Sequence, residues 1–322
     1  MLDNKTTKEI KEILAKKIKQ ETKEITNANS FNEADLKYNN SKINTISLFC
    51  GAGGLDLGFE LAGLDVIIGK EKTNQILKTK EDFDLGREAG LINHLYANDY
   101  FIEAIQTYEN NFPSSVLFDC SNIRTIKSFP KADLVLGGFP CPGFSLGGPR
   151  LIDDPRNFLY VHFIRCIMDA KPTFFVAENV KGILSLGKGE AFKQIKEDFE
   201  AAGYNVYYKL LDAKEYGVGQ VRERVILVGV QNEIDYKYQF PKPTHGEGLK
   251  PYKTLKETIG DLETDPGEYF IDSYSSIYMS RNRKKKWNEQ SFTIQASGRQ
   301  APLHPSGMQM QKLSKDTWSF PD

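Results

Sequence analysis

Long apolar runs are absent from this chain of 322 residues. None reaches the roughly 20 residues needed to cross a bilayer, and the lysine-rich N-terminus has no apolar signal core. Cysteine is scarce as well. The four present, Cys50, Cys120, Cys141 and Cys166, show neither paired metal-ligand spacing nor a secreted disulfide framework. That pattern argues against a metal site and for a reducing compartment. An excess of either charge sign is also missing, because 42 lysines and arginines against 43 acids leave a formal net charge of −1. Any nucleic-acid contact must come from local basic patches, of which Arg281-Asn282-Arg283-Lys284-Lys285-Lys286 is the obvious one.

What the chain does have is strands that stop at glycine, proline and acid. The run Ala132-Asp133-Leu134-Val135-Leu136 reads as a buried strand and ends at Gly137-Gly138, followed by Phe139-Pro140-Cys141-Pro142-Gly143. Prolines and glycines fix this backbone, so the Cys141 sulfur is presented with little entropy left to lose. Alone, such a cysteine is better explained as a buried structural residue. Upstream, a first strand over 45–49 enters Cys50-Gly51-Ala52-Gly53-Gly54-Leu55 and a helix from about 55 to 62. That turn brings backbone N–H groups to a ligand: a dinucleotide, a phosphate or S-adenosylmethionine, if it is more than a tight turn. An acid about 20 residues after the glycines holds ribose hydroxyls in such folds. Glu71 has that spacing, after Val66-Ile67-Ile68-Gly69-Lys70, whereas Asp99 has the local pattern, after Leu95-Tyr96-Ala97-Asn98 and before a helix over 101–111. We read about 66–95 as an insertion and assign the role to Asp99, with Glu71 as the rival.

A third strand over 115–118 ends in Asp119, which can accept from an adenine amino group or simply cap the next loop. A fifth, over 173–177, delivers Glu178-Asn179-Val180 at its carboxyl end. A helix over 189–202, a strand over 204–211 and the turn Tyr216-Gly217-Val218-Gly219 then lead into Gln220-Val221-Arg222-Glu223-Arg224. Alternating βα units with functional groups at strand ends predict an α/β fold with a doubly wound sheet. Cys141, Glu178, Arg222 and Arg224 together suit one reaction: a thiolate adds to an electron-poor carbon, a carboxyl group handles a proton on the neighbouring ring nitrogen, and arginines hold a carbonyl oxygen. Residues 1–44 read as a short amphipathic helix over about 7–24, with Ile10, Leu14 and Ile18 at helical spacing, and an Asn-rich linker. This segment packs on the main domain, meets a partner or stays a solvated tail, and carries no chemistry.

Phe49-Cys50-Gly51-Ala52-Gly53-Gly54, Gly138-Phe139-Pro140-Cys141, Glu178-Asn179-Val180 and Gln220-Val221-Arg222-Glu223-Arg224 occur in the order found in the DNA cytosine-5 methyltransferases, which the chain resembles. The resemblance implies a Rossmann-like S-adenosylmethionine-dependent methyltransferase sheet over 45–238 and a smaller target-recognition domain over 239–322. It implies that Cys141 adds to carbon 6 of a cytosine flipped from double-stranded DNA, that Glu178 holds and protonates ring nitrogen 3, and that Arg224, beside Arg222, binds the carbonyl oxygen. Phe49, Gly51, Gly53, Gly54, Leu55 and Pro140 would line the S-adenosylmethionine site. Asp99 would bind its ribose, Tyr100 would lie on its adenine and Asp119 would accept from the adenine amino group. Two positions depart from the family: Pro142 stands where glutamine or asparagine is usual, and the insertion displaces the ribose ligand.

Within 274–305, Arg281, Arg283 and Arg299 are candidate guanine readers, since arginine makes two parallel bonds to guanine in the major groove. Gln295 and Ser297 accompany them, and Lys284, Lys285 and Lys286 suit phosphates or a solvated basic loop. This stretch is similar to the recognition domain of HaeIII-type bacterial methyltransferases, which implies GGCC as the site. The family's Arg-x-Leu-Thr-x-Arg-Glu and Gly-Asn-Ala-Val-Pro segments do not occur here. The resemblance therefore implies a separate C-terminal polypeptide, a truncated product or a fragment. Alternatives to an active enzyme are a catalytically silent GGCC-binding remnant and an RNA cytosine-5 methyltransferase. A nicotinamide oxidoreductase would rest on the glycine turn alone.

Overall fold

In the computed structural model, which describes residues 7–21, 31–140, 155–263, 278–295, 300–315 and 317–320, the apolar runs become strands of one sheet. A first helix, α1 (Thr7–Glu21), precedes β1 (Ile43–Leu48), whose residues after Ile43 are all buried. The glycine turn after β1 opens α2, which runs from Gly54 to Ile68. Two short helices, α3 (Lys70–Ile76) and α4 (Lys80–Gly86), come before the second strand, β2 (Ile92–Asn98). Then follow α5 (Ile102–Asn111), β3 (Leu117–Asp119), β4 (Leu134–Gly137), α6 (Tyr160–Ala170), β5 (Phe174–Val180), α7 (Glu190–Ala201), β6 (Tyr204–Asp212) and β7 (Glu223–Gln231).

The sheet order is β3-β2-β1-β4-β5-β7-β6. β1 lies parallel to both β2 and β4, and β4 lies parallel to β5. Strand order therefore reverses between β1 and β4, the switch point outside whose carboxyl ends open α/β sheets bind ligands. The β1 turn and the β4 loop, which carry the two glycine motifs, both leave the sheet there. Helices on its faces bury an aromatic cluster in which Phe175 stacks on Phe199 with centroids 4.6 Å apart and Phe163 meets Phe175 edge-on at 5.8 Å.

The segment expected to hold a rival acidic strand end is helical. Val66 and Ile67 lie in the last turn of α2, 73% and 52% exposed, and Glu71 sits in the first turn of α3. Apolar residues at 66–68 mimic a strand, but α2 continues through them until Gly69, whose φ of 82° ends it.

The chain divides into two compact units, Met1–Lys209 with Val225–Gln239, and Leu210–Arg224 with Phe240–Asp322. Among its described residues the second holds α8 (Leu255–Ile259), closed by a Thr254–Glu257 capping box, and an antiparallel pair, β8 (Gln311–Ser314) and β9 (Thr317–Ser319).

The first helix is no solvated tail. Glu21 at its end is only 5% exposed, accepting from His162 Nε2 at 2.9 Å and Arg124 Nε at 2.5 Å. Arg165 Nη1 bonds His162 Nδ1 at 2.8 Å, so His162 is a neutral imidazole with its proton on Nε2. Burial, with Arg165 and Arg124 adding to it against Glu21, holds the His162 pKa below its ordinary value. The unfolded chain thus binds this proton first, and folding stability falls as pH drops below about 6.5, by at most about 1.4 kcal/mol per pH unit. Chemical denaturation at pH 7, 6 and 5 should show this slope, and His162→Gln should flatten it. An unchanged slope in the variant would assign the titration to another group.

Candidate active site

At the carboxyl end of β4 the backbone is packed too closely for any side chain. A Cβ on Gly137 would lie 2.6 Å from the Leu48 carbonyl and 2.8 Å from the Phe163 ring, so glycine is required where the loop leaves the sheet. Phe139 is then buried against Tyr160, Phe163 and Phe199. Its carbonyl accepts from Asn179 Nδ2 at 3.0 Å, and Asn179 is 3% exposed. These contacts anchor the loop up to Pro140. Cys141, the expected nucleophile, lies outside the described residues, as does Pro142.

Side chains alternate along β5, so Glu178 and Asn179 face opposite ways. Asn179 takes the buried side, and Glu178 Oε2 comes to 3.3 Å from the Cβ position of Gly138. The carboxylate therefore lies over the stem of the cysteine loop. In the sequence, Asn179 stands within the Glu178-Asn179-Val180 motif with nothing local to mark its anchoring role. The burial of one residue of an adjacent polar pair is set by strand alternation and the packed Phe139 carbonyl.

The turn after β1 is strained at Phe49, whose φ is 53°. Asp99, directly after β2, holds this turn: its Oδ2 accepts from Gly51 N at 2.9 Å and its Oδ1 from Phe101 N at 3.0 Å. Each carboxylate oxygen keeps a further lone pair for a ligand hydroxyl. Tyr100 and Phe101 beside it are 67% and 66% exposed. Side-chain additions at Gly51 and Gly54 would meet nothing within 4 Å, so the turn borders open space on this side. Leu55 is half-buried in the first turn of α2. Asp119 ends β3 beside Asn98 in register, and its Oδ2 accepts from Tyr96 Oη at 2.5 Å. Cys50 is no competing thiolate, since burial, then Asp56 and Asp99 nearby, pushes its thiol well up.

The second unit holds Arg222 and Arg224. Arg222 N donates to Asp212 Oδ1 at 3.0 Å, and Arg224 Nη1 donates to the Glu223 carbonyl at 2.8 Å. The preceding Gly219-Gln220-Val221 is laced to 291–294: Ser291 N bonds the Gly219 carbonyl at 2.8 Å, Val221 N the Ser291 carbonyl at 2.9 Å, and Thr293 Oγ1 the Val221 carbonyl at 2.7 Å. A cavity of about 210 Å³ borders this lacing, lined in part by Arg281, Asn282, Gln295 and Gln300. Arg281 and Gln295 are exposed. Arg283 is not. It is 5% exposed, donates from Nε to the Tyr278 carbonyl at 2.9 Å and lies over the Tyr278 ring, so it braces the cavity wall rather than projecting as an exposed reader. Lys284 Nζ bonds the Gly307 carbonyl and Lys285 Nζ lies 3.2 Å from Glu289, so local partners engage both. Ser297 and Arg299 fall outside the described residues. Asn282 and Gln300, which line the same cavity, carried no sequence signal beyond their place in a polar stretch.

The profile of the C-5 cytosine-specific DNA methylases matches residues 43–318. The chain belongs to that family. It is 57% identical to the Type II methyltransferase M.BspRI of Lysinibacillus sphaericus, over 98% of this chain and 75% of that one. To the Type II methyltransferase M.BsuRI of Bacillus subtilis it is 58% identical, over 98% of this chain and 73% of the relative. Among solved structures, a candidate DNA modification methyltransferase encoded within an E. coli prophage superposes with a TM-score of 0.51 at 25% identity, covering 73% of this chain and 58% of that one. This methylase is thus a DNA cytosine-5 methyltransferase that uses S-adenosylmethionine, on the doubly wound α/β sheet described above. Among the described residues, no helix is long and apolar enough to cross a membrane, and no group of three or more His, Cys, Asp or Glu could hold a metal ion.

Proposed function

We propose that this methylase modifies the internal cytosine of GGCC in double-stranded DNA through a covalent adduct on Cys141, as the modification enzyme of a restriction–modification system in the bacterial cytosol. The observation that carries the chemistry is the pairing of the anchored β4 loop with Glu178 at the switch point of the sheet. The Cys141 thiolate adds to carbon 6 of a cytosine turned out of the duplex, and Glu178 protonates nitrogen 3 as charge moves into the ring. Arg224, with Arg222, stabilises the carbonyl oxygen. When bound, S-adenosylmethionine would supply the methyl group to the carbon 5 so activated, leaving as S-adenosylhomocysteine. Loss of the carbon-5 proton to water, with the nitrogen-3 proton returned to Glu178, then expels the sulfur and restores both the thiolate and the carboxylic acid.

The turn's residues fit the donor. Backbone N–H groups at the start of α2 suit its carboxylate, Asp99 its ribose hydroxyls, Tyr100 the adenine face and Asp119 the adenine amino group. Phe49, Leu55 and Pro140 supply apolar wall.

Site choice is assigned to the second unit, as the target-recognition domain, and GGCC rests on the likeness of residues 274–305 to HaeIII-type enzymes. Arg281 and Arg299 read guanine; Gln295 and Ser297 contact bases or backbone; Lys284 and its neighbours position phosphate. Alanine at Arg281 or Arg299 should relax discrimination at one guanine by about 1–3 kcal/mol, measured as relative binding to single-substituted duplexes. Uniform weakening on every duplex would make the residue a phosphate ligand instead. The function is tested by bisulfite sequencing of mixed-sequence DNA incubated with the chain and S-adenosylmethionine, alone and with a separately supplied C-terminal polypeptide of the family. Protection of the internal cytosine of GGCC is expected in at least one arm. Protection at a different sequence would overturn the specificity, and none in either arm would overturn the activity of this chain.

A further inference from the structure

The insertion expected near 66–95 has no place in the chemistry above, yet it sends one buried side chain to the back of the glycine turn. Arg87 follows α4 and is 5% exposed. Its Nε and Nη2 grip Glu60 on α2 at 2.7 and 2.6 Å, as a two-bond fork. Its Nη1 donates to the Asn111 carbonyl at the end of α5 at 2.8 Å and to Asp84 at 3.2 Å. The guanidinium also lies over the rings of Phe83 and Phe112, at 4.8 and 5.4 Å. One planar group thus ties together α2, the end of α5 and α4.

Those ties converge on Gly53. This residue has a φ of 83° and caps α2, and a Cβ there would fall 2.3 Å from Phe112 and 2.9 Å from Tyr108. Phe112 and Tyr108 stack at 4.0 Å and form the wall behind the turn. Tyr108 Oη donates to buried Asp56 of α2 at 3.0 Å, one helical turn before Glu60. The open side of the turn faces the expected donor and its closed side is this wall.

We propose that Arg87 is a positioning residue for the methyl donor: by locking α2 to the end of α5 it holds Phe112 and Tyr108 against Gly53 and sets the shape of the donor-binding turn. A buried ion pair is weak as a source of stability, because apolar residues of similar volume often serve as well. What the guanidinium fork adds is fixed geometry to a carboxylate and a carbonyl at once, which a lysine ammonium cannot reproduce. The inference rests on the reading of the Gly51–Gly54 turn with Asp99 as the donor site.

The test is calorimetric titration of S-adenosylmethionine into the full chain, with thermal unfolding and binding of a GGCC duplex measured in parallel. Arg87→Lys is expected to weaken donor binding about ten- to a hundredfold, raising the donor KM while kcat at saturating donor and duplex affinity stay within about twofold. A folded Arg87→Lys protein that binds the donor like the wild type overturns the proposal, whatever its melting temperature. Should that variant fail to fold, Phe112→Leu decides in its place, because it loosens the same wall while keeping an apolar side chain. Asp99→Ala separates the two layers. If it also leaves donor binding intact, the site reading falls and the brace with it. If it weakens binding while Arg87→Lys does not, only the brace falls.

Discussion

Cys141→Ser is expected to abolish methyl transfer, by about four orders of magnitude or more, while binding to duplex carrying the proposed GGCC site is retained. A thiol with an ordinary pKa near 8.5 supplies a thiolate fraction at neutral pH, and sulfur is intrinsically a strong nucleophile; a serine hydroxyl supplies neither. The described stem of the loop, up to Pro140, is expected to be unaffected by the substitution. It is held by the Asn179 bond to the Phe139 carbonyl, by the Phe139 ring in the aromatic cluster and by the close approach at Gly137. None of these involves the sulfur, so DNA affinity should change by less than about threefold. Transfer of labelled methyl groups to duplex and a gel-shift titration read the two quantities separately. Turnover retained in the serine variant would remove Cys141 as the nucleophile.

Glu178→Gln is expected to lower kcat by about 10²- to 10⁴-fold with little change in the dissociation constant for duplex. The amide keeps the size of the carboxyl group and can still hydrogen-bond a ring nitrogen, but it has no proton to give as carbon 6 is attacked. Because the neighbouring Asn179 bond is left alone, the β4 loop stays anchored and any loss reports proton transfer rather than collapse of the stem. The Asn179→Ala control should instead disturb the loop, lowering thermal stability together with activity. Equal kcat in wild type and Glu178→Gln would exclude position 178 from the chemistry.

The second unit shows how far a residue's type can mislead about its placement. Two arginines two positions apart, Arg281 and Arg283, look alike as guanine readers, yet the first is exposed and the second is spent on the Tyr278 carbonyl and ring. Charge alone does not say which way a side chain turns. The wall it meets does, and that wall is built from residues up to 27 positions away, as the bond from Arg283 N to the Met310 sulfur shows.

Residue order alone determined the sheet and the positions where chemistry leaves it. Apolar runs that give way to glycine or acid at Gly137, at the Gly51–Gly54 turn and at Glu178 mark strand ends to within two or three residues, since β4 takes in Gly137 and β5 runs on through Glu178 to Val180. Only the tertiary structure decided which acid stands at the glycine turn. Glu71 and Asp99 were separated by whether 66–68 paired as a strand, and β1 pairs in register with 92–98, leaving the earlier segment helical. The same holds for Glu21, drawn into the main unit by His162 and Arg124, and for Arg87, whose partners lie 24 and 27 residues away. Strand ends are written locally, in a few consecutive side chains. Burial and partnership come from distant elements closing on one another, and no local spacing encodes them.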